Sequence, residues 1–532
     1  MHIFEMCCCY CSECCSACLK CCFKRRLRCW SACCVVSFFL TILFSLAVGL
    51  GLADEILFFF VEKELQLVPG SSTINDWVKS DIPQYETYYI FDTKNPDEFC
   101  VGDIPIVEEV GPFVYRKYDD KFNVTWKNDE TLVTFHRDRY YVFDPDQSIG
   151  DPHDYHITVI NVPLITILNK IEEVEQLLIK VLGEAIANVY LNMIDNQELF
   201  IERTAYEILW GYDEPLFGML SLLGLGNSSQ FAARSNHSDR YYNGITVAHT
   251  GKSDISDVAQ LVQWNNLSNL SWNSEDARRV YGTLGFRNRP RLKKSHIITF
   301  FIDGYVRHVP LCYKHEVKLH GIELYHFTLT NNTFSNSSQY PPNEGYYAYN
   351  YSYGMVNLTS NYFLDSPIYS CYPHCLGCDP EYFKNVSGYH PDKLKHVSFA
   401  DIEPFTGISM QGAKRAQLNV RIERNESIRQ LAAVRDVTMY PWFYLSHGGK
   451  VTESKADDFK FQIQLPRTIL NVSMIVFLAL SGVITLWMTA LLGRWYYFKI
   501  EKSKKTSINP SINNSISSSL LNDTKPLYYQ SI

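Results

Sequence analysis

The stretch VVSFFLTILFSLAVGLGLA, residues 35–53, decides how this chain of 532 residues is arranged. It lies within an uncharged segment that begins at Trp30 and ends at Ala53. A helix that rises about 1.5 Å per residue over this length can cross a hydrocarbon layer of about 30 Å. Because no small-residue cleavage site follows Ala53, we expect a retained transmembrane helix at residues 30–53 rather than a cleaved signal peptide.

A second uncharged stretch, TILNVSMIVFLALSGVITLWMTALLG, is also long enough to span a membrane. Lys and Arg precede the first stretch and follow the second, whereas acidic residues lie on the inner flanks. Positive charge favours the cytosolic side, so both termini are expected in the cytosol. The predicted organisation is a cysteine-rich cytosolic tail at residues 1–29, a span at 30–53, an ectodomain at 54–467, a span at 468–493, and a cytosolic tail with a sorting signal at 494–532.

Sequons of the form Asn-x-Ser/Thr support a lumenal or extracellular position for residues 54–467. One such motif is weak evidence because short patterns recur by chance, but a cluster in one segment is informative. The candidate N-glycosylation sites are Asn123, Asn227, Asn236, Asn266, Asn269, Asn331, Asn336, Asn350, Asn357, Asn385 and Asn425.

The central segment combines strand-like and helix-like patterns. TLVTFHRDRYYVFD at residues 131–144 and SHIITFFIDGYVRHVPL at 295–311 alternate like β-strands bounded by turn residues. One amphipathic helix is predicted from residue 164 to about 190, because apolar residues recur at spacings of three and four. Its apolar positions include Ile167, Ile171, Val174 and Leu178. The predicted fold class is therefore α+β.

Composition excludes several classes of protein. Hydrophobic residues make up 46% of the chain and charged residues 20%, which is too apolar for intrinsic disorder of the whole chain. The formal net charge of -8 provides no overall field that would attract nucleic-acid phosphates. We therefore expect no nucleic-acid partner.

Several segments together resemble the class B scavenger receptor and lysosomal integral membrane protein family. They include FDTKNPDEF at residues 91–99, GDIPIVEEVGPFVY at 102–115, ERTAYEILWGYDEP at 202–215, HTGKSDISDVAQLVQWN at 249–265 and FADIEPFTGISMQGAKRAQLNV at 399–420. The resemblance implies a large antiparallel β-barrel-like ectodomain with an apical helical bundle and an internal lipid tunnel, flanked by two transmembrane helices. It also implies lipid ligands, namely cholesterol, fatty acids or phospholipids.

The predicted apical helices favour the lysosomal type within this family. Residues 164–210 carry eight acidic and three basic residues, a balance that repels anionic particles. For the lysosomal type, the resemblance implies a docking surface for a soluble lumenal hydrolase such as glucocerebrosidase, on exposed apolar residues of the helix that carries Ile167, Ile171, Val174 and Leu178. A merely solvated helix face is an equally weighted interpretation. The alternative functions are a plasma-membrane or phagosomal scavenger receptor and a structural coat protein of the lysosomal membrane.

The cysteines fall into two groups that suit different redox compartments. Twelve of the 17 lie in the first 34 residues, beside the basic flank of the first span. Of these, Cys29, Cys33 and Cys34 are candidates for S-acylation, with metal binding as the less favoured alternative. In the ectodomain the candidate disulfide cysteines are Cys312, Cys371, Cys375 and Cys378.

The pairing of these ectodomain cysteines stays open. The resemblance places one bridge at Cys312, but residues 360–365, where its partner is expected, contain no cysteine. With Cys100 the ectodomain has five cysteines, so at most two bridges form and one thiol remains. The run CYPHCLGC at residues 371–378 matches the spacing of an iron–sulfur motif, but an oxidising lumen favours a disulfide there.

The C-terminal residues resemble a tyrosine-based sorting signal. Tyr529 is followed by two residues and then by the bulky apolar Ile532, the pattern that clathrin adaptors read. A clathrin adaptor is therefore a predicted partner. No nucleophile elbow of the form G-x-S-x-G occurs, and we predict neither an enzyme nor a cofactor.

Overall fold

The computed structural model describes residues 32, 35–48, 50–222, 229–233, 238–239, 244–346, 354–359, 365–435 and 437–519. The chain divides into two compact units. The terminal unit comprises residues 1–60 and 459–532, and the central unit comprises residues 61–458.

The central unit contains the strands, which are numbered in chain order. They are β1 Gln84–Thr93, β2 Val107–Lys127, β3 Leu132–Phe143, β4 His156–Ile160, β5 Phe200–Thr204, β6 Tyr212–Asp213, β7 Gln230–Phe231, β8 Ser238–Asp239, β9 Thr246–His249, β10 Leu261–Gln263, β11 Ile298–Ile302, β12 Arg307–Leu319, β13 Ile322–Leu329, β14 Val356–Asn357, β15 Ile368–Cys371, β16 Phe399–Ile402, β17 Ser409–Glu423 and β18 Val437–Lys450.

The helices are numbered in the same way. They are α1 Val35–Val48, α2 Leu52–Leu65, α3 Ile74–Val78, α4 Pro96–Cys100, α5 Val162–Leu168, α6 Ile171–Leu182, α7 Glu184–Asp195, α8 Ala205–Trp210, α9 Pro215–Leu222, α10 Glu275–Arg278, α11 Pro380–Phe383, α12 Lys393–His396, α13 Glu453–Phe459 and α14 Leu465–Ser519.

One large antiparallel sheet organises the central unit, which confirms the α+β prediction. Its strand order is β10-β9-β3-β2-β1-β18-β17-β16-β13-β12-β11, so strands from the two ends of the unit pair at its centre. The β1–β18 pair places Tyr88 opposite Leu445. The β17–β18 pair is the longest in register, from Gln411 opposite Lys450 to Glu423 opposite Val437. Long-range pairing of this kind cannot be read from local periodicity.

A short segment between the two edge strands nearly closes the sheet into a barrel. The backbone NH of Leu261 in β10 donates to the carbonyl of Gly282 at 2.9 Å, and the NH of Thr283 donates to the carbonyl of Thr299 in β11 at 3.0 Å. Gly282 has φ +95°, and a Cβ there would lie 2.9 Å from the carbonyl oxygen of Thr299. This close approach requires glycine.

The predicted apical helix from residue 164 to about 190 is three helices, α5, α6 and α7. The first break is at Asn169 and Lys170, and the second is at Gly183, which has φ +81°. A β-carbon disfavours this left-handed backbone, so glycine allows the chain to turn there. The apolar spacing was right for each helix, but periodicity alone did not reveal the turns.

In the terminal unit, α14 is the one described helix that is by itself long and apolar enough to cross a membrane. The helices α1 and α2 meet this condition only as a bent pair, with an angle of 61° between them. The helix α14 also extends beyond the predicted span at residues 468–493, as far as Ser519.

Polar side chains join α1 to α14. The hydroxyls of Ser37 and Thr485 lie 2.6 Å apart, and Ser37 also donates to the carbonyl of Ser481 at 3.2 Å. Near the start of α14, Arg467 forms two hydrogen bonds of 2.7 Å with the carboxylate of Asp54 in α2. Small hydroxyl residues at a helix contact are typical of paired transmembrane helices.

Candidate functional site

The interior of the central sheet contains a cavity of about 140 Å³. Its lining comes from strands all round the sheet, including β1, β2, β3, β11, β13, β17 and β18. The largest apolar side chains that line it are Trp77, Phe135, Phe286, Phe300, Phe301 and Phe399. The cavity is smaller than the roughly 300 Å³ at which ligand pockets begin, so a lipid chain enters only if side chains move.

A second cavity of about 150 Å³ adjoins the first. The two cavities share seven lining residues, namely Gln84, Leu284, Phe286, Phe300, Phe399, Lys414 and His447. The second cavity also reaches Gly448 and Gly449 near the end of β18. Movement of the shared side chains would therefore join the two spaces.

Charged side chains form one wall of the first cavity. Lys117, Asp119 and Lys121 alternate along β2 and so project from the same face of the strand. We call the charged lining residues the charged wall. It comprises five basic residues, Lys117, Lys121, Arg137, Arg287 and Lys414, and two acidic residues, Asp119 and Asp303. Positive charge predominates.

Both acidic residues of the charged wall have basic partners. Arg137 donates to both carboxylate oxygens of Asp119, with Nε 2.9 Å from Oδ1. Arg139 donates to Asp303 at 2.8 Å, and Lys414 donates to it at 3.3 Å. Burial alone would raise the pKa of both carboxyls, but the neighbouring cations outweigh it and hold each pKa well below its usual value. Both carboxylates are therefore ionised and compensated.

Lys117 differs from the other lysines of the charged wall. It is 7% exposed, and among the described residues no carboxylate oxygen lies at ion-pair distance from its Nζ. Its nearest recorded partner is the ring of Tyr141, whose centroid is 5.9 Å from Nζ. Burial lowers the pKa of Lys117 to about 8, and the negative charge of Glu86 only partly opposes this shift. A buried cation without a close counter-ion is costly for folding and well suited to hold an anion.

Lys121 and His447 also affect the electrostatics of the first cavity. Lys121 donates to the carbonyl of Trp77 at 2.7 Å and lies 4.7 Å from the centroid of its ring. Burial lowers the pKa of Lys121 to about 8. Burial also lowers the pKa of His447 to about 3, and its Nε2 lies 3.1 Å from Oε1 of Gln84. Between pH 5 and 7 the lysines are therefore charged and His447 is neutral.

Sequence reasoning missed the charged wall. The run from residue 117 to 121 contains three charged residues at alternate positions, and Arg137 and Arg139 follow the same pattern in the next strand. Alternation of this kind normally marks a solvent-facing strand face. The signal that could have corrected this interpretation is the aromatic character of the other face, where Tyr118 and Tyr140 stack with ring centroids 4.4 Å apart.

The apolar residues predicted for hydrolase docking do not form an exposed surface. Ile167, Val174 and Leu178 are buried in the main hydrophobic core, and Ile171 packs against it. The exposure assigned to these side chains was therefore wrong, because the periodic apolar face of a helix is the face that packs inward. The exposed apolar residues of α6 and α7 are instead Ile179, Val181, Ile186, Val189 and Met193.

The predicted glycosylation sites stay a prediction. Asn123, Asn266, Asn269 and Asn425 are exposed, and Asn336, Asn357 and Asn385 are half-buried. Asn331 begins a short 3-10 helix, Asn331–Phe334. Asn227, Asn236 and Asn350 lie outside the described residues.

The predicted cysteine and sorting sites are only partly described. Cys29, Cys33 and Cys34 lie outside the described residues, as do Tyr529 and Ile532. The four candidate disulfide cysteines and Cys100 are thiols in the structure. Cys371, Cys375 and Cys378 are brought together, whereas Cys312 lies on β12, half-buried, outside this group.

Comparison with known proteins places this chain in a recognised class of membrane protein. A model of the CD36 family matches residues 35–492. Lysosome membrane protein 2 of Mus musculus is 28% identical over 425 residues, which cover 78% of this chain and 85% of that protein. Scavenger receptor class B member 1 of Bos taurus is 31% identical over 433 residues, which cover 80% of this chain and 82% of that protein.

The chain belongs to the CD36 family and is a membrane protein of the scavenger-receptor type. This confirms the resemblance to class B scavenger receptors and lysosomal integral membrane proteins.

Proposed function

We propose that the central unit is a lipid receptor whose cavity binds the anionic head of a lipid, either a carboxylate or a phosphate. The observation that carries this proposal is Lys117, a buried cation with no carboxylate at ion-pair distance among the described residues, in a cavity whose other walls are largely apolar. Apolar lining with a few well-placed polar groups is typical of sites for small amphipathic ligands. The adjoining cavities support passage of the lipid through an internal tunnel.

Binding should prefer an acid to an alcohol of the same chain length, and this preference should depend on pH. Lys117 and Lys121 are protonated below their pKa of about 8, so a fatty acid is expected to bind more tightly than the matching fatty alcohol at pH 6.5. The difference should shrink as the pH rises past 8, since both lysines then lose their charge. Titration of the detergent-solubilised full chain with both lipids at pH 6.5 and 9.5 measures this. Equal affinities at both pH values would contradict the proposed head-group site.

The chain is also proposed to cross the membrane twice, with the central unit in the lumen and the steady-state location in endosomes and lysosomes. The hydroxyl contacts between α1 and α14 support two paired spans. A location at the plasma membrane or phagosome is the alternative, and similarity to relatives of both kinds leaves the choice to experiment.

Tyr529→Ala tests topology and sorting together. If a clathrin adaptor reads Tyr529, the variant should accumulate at the cell surface, and biotin applied outside intact cells should label it more strongly than the wild-type chain. Tyr528→Ala is the matched control because it changes the adjacent tyrosine and leaves the motif intact. Labelling of the Tyr529→Ala chain would support a central unit outside the cytosol, and equal labelling of all three chains would refute the sorting signal.

A lumenal hydrolase is a second proposed partner, and the exposed apolar residues of α6 and α7 support it. Ile186, Val189 and Met193 follow a helical spacing and are 39 to 58% exposed. Val189→Asp is expected to weaken binding of purified glucocerebrosidase by about 30-fold or more, as loss of an interface hot spot of about 2 kcal/mol would. Leu394→Asp, at an exposed position on α12, serves as the control in a surface-immobilised binding assay. Equal binding by both variants would argue against this surface.

A further inference from the structure

Three cysteine sulfurs converge in the loop that follows β15. Cys371, Cys375 and Cys378 are 0, 1 and 5% exposed, and their sulfur atoms all lie within 4.8 Å of one another. The closest recorded pair is Cys371 and Cys375, with 3.3 Å between the Sγ atoms. Three buried thiols directed at one point require a chemical reason.

The backbone of this loop is shaped so that the sulfurs converge. His374, Cys375 and Gly377 all have positive φ, at 53°, 52° and 78°. Such angles are uncommon in residues other than glycine, and they occur where tertiary structure holds the chain. The hydrogen bond from the His374 backbone NH to Oε1 of Gln417, at 2.6 Å, holds this turn against β17.

Amide donors from β17 surround the sulfurs. Nδ2 of Asn419 lies 3.2 Å from Sγ of Cys371, and Nε2 of Gln417 lies 4.0 Å from Sγ of Cys375. Gln417 and Asn419 are two residues apart, so they project from the same face of the strand. Donors around sulfur ligands stabilise their negative charge and orient them, as outer-shell groups do in metal sites.

The adjacent histidine is engaged elsewhere. Nε2 of His374 lies 2.7 Å from the carboxylate of Glu109, and its Nδ1 accepts from the backbone NH of His390 at 3.2 Å. Both ring nitrogens therefore have partners. Among the described residues, the group of converging metal-ligand side chains consists of the three cysteines alone.

We propose that Cys371, Cys375 and Cys378 form a three-sulfur binding site for a soft metal ion, either Cu(I) or Zn²⁺. Thiolate sulfur selects both ions over hard cations such as Mg²⁺ and Ca²⁺. With metal–sulfur bonds of about 2.3 Å, neighbouring sulfurs are separated by roughly 3.8 to 4.0 Å. Here the sulfurs of Cys371 and Cys375 are 3.3 Å apart and all three sulfurs lie within 4.8 Å of one another, which is compatible with this value. On binding, three metal–sulfur bonds form and the three thiol protons pass to solvent, with no change of oxidation state.

A disulfide accounts for less of this geometry. A disulfide joins two sulfurs at about 2.05 Å and leaves the third without a role. Cys378 lies within the same cluster as Cys371 and Cys375. All three positions have a role in a metal site.

Metal content and thiol counting test the site on the full chain. The protein is expressed with either zinc or copper supplied, purified in detergent without chelator, and analysed for bound metal. Cys375→Ser and Cys378→Ser are compared with Cys312→Ser, which removes a half-buried cysteine from β12 and leaves the cluster intact. We expect about one ion for each wild-type and Cys312→Ser chain and loss of most of that ion in both cluster variants.

Thiol counting needs no variant and so does not depend on the folding of one. The wild-type chain is denatured with chelator but without reductant, and free thiols are alkylated and located by mass. Modification of all three cysteines is expected, since a metal site releases three thiols. Two cysteines that become reactive only after reduction would show a disulfide and overturn the proposal, as would metal that persists in Cys375→Ser. The ion that is found at about one per chain shows whether the site prefers zinc or copper.

Discussion

Lys117→Met is expected to weaken binding of an anionic lipid by about 10- to 100-fold and at the same time to stabilise the folded chain. The loss follows from removal of a charge-assisted hydrogen bond worth about 1.5 to 3 kcal/mol. The gain follows because methionine removes a buried charge. Burial lowers the pKa of Lys117 from 10.5 to about 8, which costs up to about 3 kcal/mol of folding free energy at pH 7. A residue retained at such a cost is expected to serve binding rather than stability.

The pH dependence of this stabilisation has a defined sign. Below pH 8 Lys117 is charged in both the folded and the unfolded chain, so the full cost of burial is present there. As the pH rises from 8 to 10.5, the folded chain loses the proton first and the cost disappears. The advantage of Lys117→Met should therefore be greatest below pH 8 and vanish above 10.5.

Thermal unfolding of the detergent-solubilised full chain, together with lipid titration, measures both effects of Lys117→Met. For a central unit of about 400 residues, a gain of about 3 kcal/mol raises the melting temperature by roughly 4 °C. Lys318→Met is the control, because Lys318 is 70% exposed and pairs with Glu323 at 3.2 Å on the surface. Unchanged lipid affinity in Lys117→Met would remove the basis of the proposed binding site.

Asp119→Asn is expected to destabilise the central unit by about 3 to 5 kcal/mol, the usual cost of breaking a buried ion pair from one side. The carboxylate of Asp119 accepts two hydrogen bonds from Arg137, and the positive charges of Arg139 and Lys117 also lower its pKa. Without this charge the neighbouring cations repel one another in a buried space. The melting temperature should fall by roughly 4 to 6 °C.

Asp120→Asn provides a matched control for this variant. Asp120 is adjacent in sequence but has a partly exposed side chain and a long, 3.8 Å contact with Lys79. Its replacement should change stability by less than about 1 kcal/mol. Because the pKa of Asp119 lies well below 3.8, its contribution is present above that pH and is lost as the pH falls towards the folded-state pKa. Similar melting temperatures for the two variants at pH 7 would show that the Asp119–Arg137 pair contributes little.

Part of this protein was predictable from local sequence. The α+β class follows from alternating strand patterns together with the helical spacing around Val174 and Leu178, which predicted helix in a region that is helical. The family resemblance followed from ordered motifs, and the match over residues 35–492 confirms it. The error at the apical helices was one of direction, since a periodic apolar face was interpreted as a docking surface when it forms the core.

The sequence by itself determined the properties that depend on neighbours in the chain. These are the two long apolar stretches, the strand and helix periodicities, and the two groups of cysteines. Each of these properties depends on residues that are close together in the sequence.

Only the tertiary structure decided which distant residues meet. The pairing of β1 with β18 and the bridge at Gly282 bring the charged faces of β2 and β3 inside the sheet, so Lys117 is buried rather than solvated. The positive-φ turn at His374 and Cys375 likewise converts a spaced run of cysteines into one sulfur cluster. The physical reason is that the packing energy of the whole unit selects strand register and turn handedness. A local sequence pattern does not determine that energy.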